Sequence, residues 1–277
     1  MNPGINSDFS ARLAAIIVLC LVLTALLAGQ IAPHDPEKAQ PELRLKSPCL
    51  DYPLGTDQLG RCIFSRIVFG TRVSLFIGLT VVLLSALMGI ILGGVAGYFR
   101  GVLDEVIMRV VDAFLAFPSI FLALAVIGFL GSGLTNLMLS LILVEWTGYA
   151  RLMRGSVLAL RGKEFLEAAR GLGASDFYIM RIHILPNALP SLLVMATLGM
   201  GNAILGAASL SFLGLGVQPP TPEWGAMMND ARPFIRAFPL MMIFPGIAIT
   251  VSVLAFNLLG EAIRVRLDPR AEMKNEL

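Results

Sequence analysis

The chain has 277 residues, of which 56% are hydrophobic and only 14% are charged, and its mean hydropathy is +0.79. So few charges cannot cover the surface of a soluble domain of this length, and we predict a membrane protein whose apolar surface faces lipid. A net charge of +2 gives no indication of nucleic-acid binding. Cys20, Cys49 and Cys62 are an odd number without CxxC spacing, which predicts neither a disulfide framework nor a zinc site, although Cys49 and Cys62 could pair if both lay outside.

Six apolar stretches are long enough, or nearly so, to cross a bilayer as helices. The hydrocarbon core is about 30 Å thick and takes roughly 20 helical residues to cross. We therefore predict an all-α membrane protein with six transmembrane helices. They cover residues 13–31, 73–98, 107–130, 134–150, 188–213 and 241–263.

The first and the fourth stretches are the least regular of the six. A signal peptide is the alternative for the first, but its apolar run exceeds the usual length of roughly 7 to 15 residues and no A-x-A site follows, so we predict a retained helix. The fourth stretch is short. We expect Trp146 and Tyr149 to anchor it at the headgroup level, which aromatic rings favour.

The distribution of lysine and arginine predicts an orientation. With a cytoplasmic N-terminus, six helices put most of these residues inside, notably in the loop 151–186 and the C-terminal tail. The segment 32–72 opposes this orientation, because it would lie outside and yet carries several basic residues. Its prolines predict an extended loop with one short helix after Gly60. We accordingly divide the chain into an N-terminal helix and extracytoplasmic loop, residues 1–72, and a five-helix core, residues 73–277.

Small residues and prolines inside the predicted spans indicate how the helices pack. Gly89, Gly93 and Gly97 form a tandem GxxxG pattern, which lets another helix approach closely, either within the chain or from a partner. Pro118 and Pro245 are expected to bend or interrupt their helices.

Charged residues inside a membrane must find a partner or water. Glu105, Arg109 and Asp112 have helical spacing at the inner end of the third span, and we expect them to pair with one another as a structural clasp. Glu145 lies more than one helical turn from the inner boundary at Arg151. We predict that it faces a pathway between the helices or pairs with an arginine such as Arg109; snorkelling to the inner interface is the alternative.

The loop 151–186 contains the most specific pattern in the chain. Residues 164–170 are mostly helix formers, and Gly173 can adopt the left-handed conformation that ends a helix. Ser175 suits the N-cap of the next helix. The pattern predicts a short helix, a sharp turn and a second helix that returns to the membrane.

The short helix of this loop is suited to close contact with another protein. Ala168 and Ala169 leave it with little side-chain bulk, and Glu167 and Arg170 have the spacing of an ion pair. A chance Glu-Ala-Ala in an amphipathic surface helix is the alternative, but the spacing to the glycine and to a later Leu-Pro makes the pattern specific.

Glu167-Ala168-Ala169, followed by Gly173 and then by Leu185-Pro186, resembles the EAA loop of ABC importer permeases. The resemblance implies a type I ABC importer permease fold with a cytoplasmic coupling helix that sits in a groove of an ATP-binding subunit. Many members of the superfamily have isoleucine at the position of His183, whereas His-x-Leu-Pro is usual in the peptide and nickel branch. The residues that the resemblance assigns to ATPase coupling are Glu164, Phe165, Glu167, Ala168, Ala169, Arg170 and Gly173.

Further stretches are similar to the dipeptide, oligopeptide and nickel permeases of this family. Residues 55–61 (GTDQLGR) match the segment before the second helix, although Cys62 replaces the usual aspartate, and residues 211–225 match a segment near the outer mouth. Residues 229–232 (NDAR) are more similar to the nickel permeases. The resemblance implies nickel or a similar metal chelate as the cargo, with short peptides as the alternative.

The chain has no GxxxxGK[ST] motif, because the only lysine that follows a glycine, Lys163, is followed by Glu164. We therefore predict a subunit that is not an enzyme, without catalytic residues, cofactor or metal site, whose ATP is hydrolysed by other chains. The implied partners are a second homologous permease, two ATP-binding subunits, an extracytoplasmic substrate-binding protein and membrane lipid. The implied location is the bacterial inner membrane, with several passes and both termini in the cytoplasm.

Two other classes of function fit the sequence less well. A membrane-embedded enzyme needs a nucleophile with a base, or two carboxylates, at mid-membrane, and the sequence supplies neither. A passive channel would have no use for the short cytoplasmic helix.

Overall fold

The computed structural model describes residues 3–267, and side chains from residue 9 onward. The regular elements of this range are helical, and one isolated β-bridge joins Thr56 to Cys62. Short 3-10 segments lie at Pro41–Leu43 and Arg232–Phe234, and a π-helical segment lies at Ile179–Ile184. The α-helices are α1 Pro3–Leu26, α2 Ala28–Ile31, α3 Ile63–Phe99, α4 Gly101–Leu115, α5 Ser119–Leu130, α6 Leu134–Arg161, α7 Glu164–Gly171, α8 Asp176–Tyr178, α9 Leu185–Phe212, α10 Trp224–Ala231 and α11 Leu240–Leu267.

Four helices of the described range are long and apolar enough to cross a membrane. They are Phe9–Leu26 of α1, α3, the continuous helix Asp176–Phe212, and α11. The pair α4 and α5 meets the same criterion as a fifth span, although its two halves are bent by 93°. α6 has 28 residues but carries Glu145 and three arginines, which lower its hydropathy.

α3 and α6 form the most extensive helix pair, and the glycine stripe lies between them. A Cβ atom on Gly89, Gly93 or Gly97 would overlap α6 between residues 146 and 157. The absence of side chains therefore sets the distance between the two helix axes. The predicted packing role of the stripe is confirmed, and its partner lies within the chain.

Contacts at the helix ends show that α1 runs opposite to α3, whereas α3 and α6 run in the same direction. At one end, Arg72 of α3 donates to the carbonyls of Ala25 and Leu26 at the end of α1, at 2.9 and 3.2 Å. At the other end, Arg161 at the end of α6 donates to the carbonyl of Tyr98 at the end of α3, at 3.0 Å. The beginning of α1 and the end of α11 flank a common groove. The loop after α6 lies at this second end.

The third predicted span, residues 107–130, is two helices rather than one. The chain turns between Leu115 and Ser119, and Pro118 is the N-cap residue of α5. The interruption predicted at Pro118 is confirmed, because proline lacks the amide hydrogen that continues a helix. α11, by contrast, continues through Pro245.

Two other local predictions are corrected. The short helix expected after Gly60 is not separate, because α3 begins at Ile63 and its 37 residues extend about 55 Å, well beyond one bilayer core. The predicted boundary at residue 72 thus falls inside α3. Trp146 and Tyr149 are only 3% and 2% exposed, so they are not headgroup anchors. Trp146 packs edge-on against Phe114 of α4, and Tyr149 lies against the glycine stripe.

Candidate coupling surface and membrane cavity

α7 is the short helix predicted in the loop after α6, and its C-terminus is fixed by backbone hydrogen bonds. The amide of Ala174 donates to the carbonyl of Ala169 at 3.0 Å, and that of Gly173 donates to Arg170 at 2.9 Å, which is a Schellman motif. Gly173 has φ +83°, a left-handed conformation that strains any residue with a Cβ. The predicted helix stop at Gly173 is confirmed.

The chain re-enters the bundle directly after α7. The hydroxyl of Ser175 accepts a hydrogen bond from the amide of Tyr178 at 3.3 Å, so its predicted role as an N-cap is also confirmed. His183 lies between the ring of Tyr178, at 5.8 Å, and the ring of Phe165 in α7, at 6.0 Å. Phe165 therefore connects α7 to the π-helical segment at the base of α9.

One side of α7 is fixed to the bundle. Leu166 is completely buried among side chains of α3, α6 and α9. The guanidinium of Arg170 lies 5.6 Å from the centre of the Tyr98 ring at the end of α3, and the Tyr98 hydroxyl donates to the carboxylate of Asp176. These contacts join α7 to the end of α3, which also contacts the start of α8.

The other side of α7 faces outward. The ion pair predicted between Glu167 and Arg170 does not form, because Arg170 turns toward Tyr98 while Glu167 is exposed. Leu172, just after the helix, is 90% exposed. The remaining exposed residues of α7 are Glu164, Phe165, Ala168 and Gly171.

Glu145, the other residue singled out from the sequence, lies on the wall of a cavity of about 410 Å³ between α5, α6 and α9. Within the described part of the chain its carboxylate has neither a hydrogen-bond donor nor a cation. The predicted pair with Arg109 is wrong: Arg109 is exposed, and its nearest acid is Glu105 at 3.9 Å.

The clasp predicted at the inner end of the third span forms only in part. Asp112 does not pair with Arg109; it accepts a hydrogen bond from Arg151 of α6 at 2.8 Å. A bidentate pair lies nearby: two guanidinium nitrogens of Arg154 donate to the carboxylate of Asp104, with 2.8 Å between Nη2 and Oδ2. Asp104 and Asp112 of α4 are thus bound to α6, because α4 packs along that helix.

Sequence reasoning missed a buried ionic network at the end opposite α7. The Oδ2 atom of Asp57 lies 2.7 Å from Nε of Arg61 and 3.6 Å from Nε of Arg66, and both arginines are 2% exposed. Arg61 also reaches Asp230 of α10 at 3.3 Å, and Arg66 donates to the carbonyl of Pro36 at 3.0 Å. The network joins the segment before α3 to α10.

The same end contains a second buried acid. The carboxylate of Glu223 accepts hydrogen bonds from the amides of Gly225 and Ala226, both at 2.9 Å, and so caps α10. Burial raises the pKa of this carboxyl group, while the two amide donors oppose that rise. The only sequence signals for these acids were the motif similarities, which said nothing about their contacts.

Metal-ligating side chains are scattered over the described residues. Between residues 3 and 267, no three His, Cys, Asp or Glu side chains lie close enough together to hold a metal ion. The thiols of Cys49 and Cys62 are both free.

Comparison with known proteins identifies the family. The family described as "binding-protein-dependent transport system inner membrane component" matches residues 89–273. The chain is 46% identical to the nickel transport system permease protein NikC of Escherichia coli K12 over 269 residues, 97% of each chain. It is also 46% identical to the glutathione transport system permease protein GsiD of Escherichia coli O6:K15:H31 (strain 536 / UPEC) over 261 residues, 94% of this chain and 86% of GsiD.

A solved structure supports the fold alone. A chain of the inward-facing MetNI methionine ABC transporter superposes with a TM-score of 0.56 at 20% sequence identity, covering 74% of this chain and 98% of that one. The sequence matches to the two permeases cover more of this chain than the superposition does, and at more than twice the sequence identity. This chain therefore belongs to the family of inner membrane components of binding-protein-dependent transport systems.

Proposed function

We propose that the chain is the permease subunit of an ATP-driven ABC importer and forms one side of a pathway that opens alternately to the two faces of the inner membrane. Its six passes are α1, α3, the bent pair α4–α5, α6, α8–α9 and α11. α7 and both termini lie in the cytoplasm. In the proposed division, residues 1–72 contain the peripheral helix α1, the outer loop and the first part of α3, and residues 73–277 form the core.

The proposed assembly contains four kinds of partner. A second, homologous permease completes the pathway, and two ATP-binding subunits each hold one permease by α7. An extracytoplasmic binding protein delivers the cargo at the opposite end, and lipid surrounds the apolar helices. ATP hydrolysis takes place on the partner subunits, so this chain transmits movement without chemistry of its own.

The geometry of α7 is the observation that carries the proposal. Leu166, Phe165 and Arg170 attach the helix to α3, α6 and the base of α9, while Ala168 and the two glutamates face outward. A partner that pushes on the exposed side would therefore displace three long helices together. The proposed contact residues are Glu164, Phe165, Glu167, Ala168, Ala169, Arg170 and Gly173.

We propose a nickel or other metal chelate, or a short peptide, as the cargo. One relative is named for nickel transport and another for glutathione transport, and both share 46% of their aligned residues with this chain. Uptake of ⁶³Ni²⁺ compared with uptake of a labelled dipeptide, in cells that lack their own transporters for both, separates the two kinds of cargo.

Two substitutions in the coupling surface test the proposed function. Gly173→Val cannot keep φ +83° without strain, and Ala169→Trp adds bulk where the ATP-binding subunit must approach. We expect both variants to reach the membrane in normal amounts but to lose uptake. Binding protein loaded with cargo should stimulate ATP hydrolysis by the wild-type complex and not by either variant.

The matched control is Gly155→Val, at an exposed glycine of α6 with open space around it. It makes the same glycine-to-valine change away from α7 and from the turn at Gly173, and it should retain uptake. Normal uptake by both Gly173→Val and Ala169→Trp would contradict the coupling role. Purification of the complex without any ATP-binding subunit would contradict the importer itself.

A further inference from the structure

The cavity beside Glu145 has a polar wall built from three helices. α6 contributes Glu145, α9 contributes Asn202 and Ser209, and α5 contributes Ser119 at its first turn. The remaining lining is apolar, notably Ile120, Leu141 and Leu205. A volume of about 410 Å³ lies within the range of roughly 300 to 1,000 Å³ that is usual for small-molecule sites.

Among residues 9–267, no cationic side chain pairs with the carboxylate of Glu145. Three arginines of α4 and α6 are engaged elsewhere: Arg109 with Glu105, Arg151 with Asp112 and Arg154 with Asp104. A lone carboxylate at membrane depth is costly unless water or a cation reaches it. The open cavity gives access to both.

The side-chain amide of Asn202 is also free to bind a solute. It is exposed and makes no hydrogen bond with another described residue, although an amide offers both donors and an acceptor. Gly206, one turn further along α9, adds no side chain to the same wall. The hydroxyl of Ser209 donates to the carbonyl of Leu205 at 2.7 Å, which leaves its oxygen free to accept.

We propose that this cavity binds the positively charged group of the transported solute, with Glu145 as its counter-ion and Asn202 as a hydrogen-bonding partner. The apolar walls accommodate the uncharged part of the solute. The inference deepens the proposed transport function and rests on it. A metal cation in its chelate and the ammonium group of a peptide share the charge that Glu145 recognises.

The charge preference of the cavity can be measured without transport. In a chain whose native cysteines are replaced by alanine, Asn202→Cys is treated, within the purified complex, with a cationic thiosulfonate (2-aminoethyl methanethiosulfonate) or an anionic one (2-sulfonatoethyl methanethiosulfonate). Rates are normalised to free cysteine. We expect the cationic reagent to be favoured by about tenfold or more, as one nearby carboxylate in a partly aqueous site implies.

The preference should depend on Glu145 and on no other acid. Glu145→Gln should abolish it, while Glu105→Gln, which removes a 71% exposed carboxylate of α4 outside the cavity, should leave it unchanged. Ser209→Cys offers a second reporter on the same wall if Asn202→Cys fails to fold. The same preference with and without Glu145, or no reaction at either position, overturns the proposal.

Uptake then tests binding of the solute itself. We expect Glu145→Gln to reduce uptake of the transported probe by about tenfold to a hundredfold, since the positively charged group of the probe loses its counter-ion. Loss of ⁶³Ni²⁺ uptake identifies the metal complex, and loss of dialanine uptake relative to N-acetyl-dialanine identifies the ammonium group. Unchanged uptake of a probe that the wild type transports overturns the binding role.

The two proposals fail in distinguishable ways. If the wild-type complex lacks ATP-binding subunits and takes up none of the probes, the importer function fails, and solute binding in this cavity fails with it. If the wild type transports a probe and Glu145→Gln transports it equally well, only the inference about the cavity fails.

Discussion

Gly93 contributes to the fold through the side chain that it lacks. It lies where α3 meets the backbone of Ala150 in α6, and a single methyl group would overlap that backbone. The sequence indicated a packing stripe from the spacing of the glycines, but it could not say whether the facing helix belonged to this chain or to a partner. Only the tertiary contact with α6 decides this.

We expect Gly93→Ala to destabilise the protein by about 1 to 3 kcal/mol, because the two helices must separate to admit the methyl group. Gly155→Ala is the matched control: its new methyl group meets open space, and the gain in helix propensity should stabilise α6 by about 0.5 to 1 kcal/mol. Thermal unfolding of the purified variants measures both. Equal midpoints would show that the α3–α6 contact is looser than described.

Glu145 shows how far a single residue can be interpreted from the sequence. Its depth between apolar stretches was sufficient to predict that it needs a partner or water. The choice of Arg109 as partner was wrong, because the acids of α4 pair with α4 and α6 arginines and leave Glu145 facing the cavity. Which arginine pairs with which acid depends on how α4 packs against α6. The spacing of residues along a helix does not determine that packing.

Among the elements, α7 was the most predictable. Its start, its glycine stop and the following serine cap are local features that a few consecutive residues determine. Its attachment to the bundle is not local. Tyr98, which holds both Arg170 and Asp176, lies at the end of α3, far from α7 in the sequence, and nothing in the loop pointed to it.

We expect Tyr98→Phe to weaken coupling between ATP hydrolysis and uptake, because α7 and α8 lose the hydroxyl through which α3 holds Asp176. The ring and its contact with Arg170 remain, so the loss of stability should be only about 1 kcal/mol. The ratio of ATP hydrolysed to cargo transported, in proteoliposomes with the complete importer, should rise.

Tyr178→Phe is the control for this change. It removes a tyrosine hydroxyl from the same region, at a side chain that is 50% exposed, and should leave the ratio unchanged. A ratio that is unaltered in Tyr98→Phe, or raised equally in both variants, would refute a specific role for the Tyr98 hydroxyl.

The bend between α4 and α5 has a local cause and a non-local cause. Pro118 identifies the point where the helix stops, and this was predicted. The 93° angle between the halves was not, since it depends on the pairing of Asp104 and Asp112 with α6 before the bend and on the apolar contacts of α5 after it.

At the scale of the whole molecule, the network around Asp57 connects parts of the chain that are far apart. Arg61 and Asp230 are separated by 169 residues and yet lie 3.3 Å apart. The segment 32–62 is therefore held against α10 by buried charges and does not extend freely from the membrane. Its proline content had indicated only an extended loop.

We expect Asp57→Asn to destabilise the protein by about 3 kcal/mol or more, because two arginines that are 2% exposed lose their shared carboxylate. The loop should also become susceptible to proteolysis between α2 and α3. Asp51→Asn, at an exposed aspartate of the same loop, should change neither thermal stability nor the digestion pattern. If the two variants behave alike, the network contributes little to holding the loop.

The sequence by itself determined the helical membrane class, most of the long apolar helices, the turn at Gly173, the break at Pro118 and the family, because each depends on composition or on residues close together in the chain. Only the tertiary structure decided that the glycine stripe faces α6, that Trp146 and Tyr149 are buried, that no arginine of the described range pairs with Glu145, and that Asp57 and Asp230 share a network. These features depend on which surfaces of distant helices meet, and hydrophobic periodicity specifies that a surface is buried without specifying what lies against it.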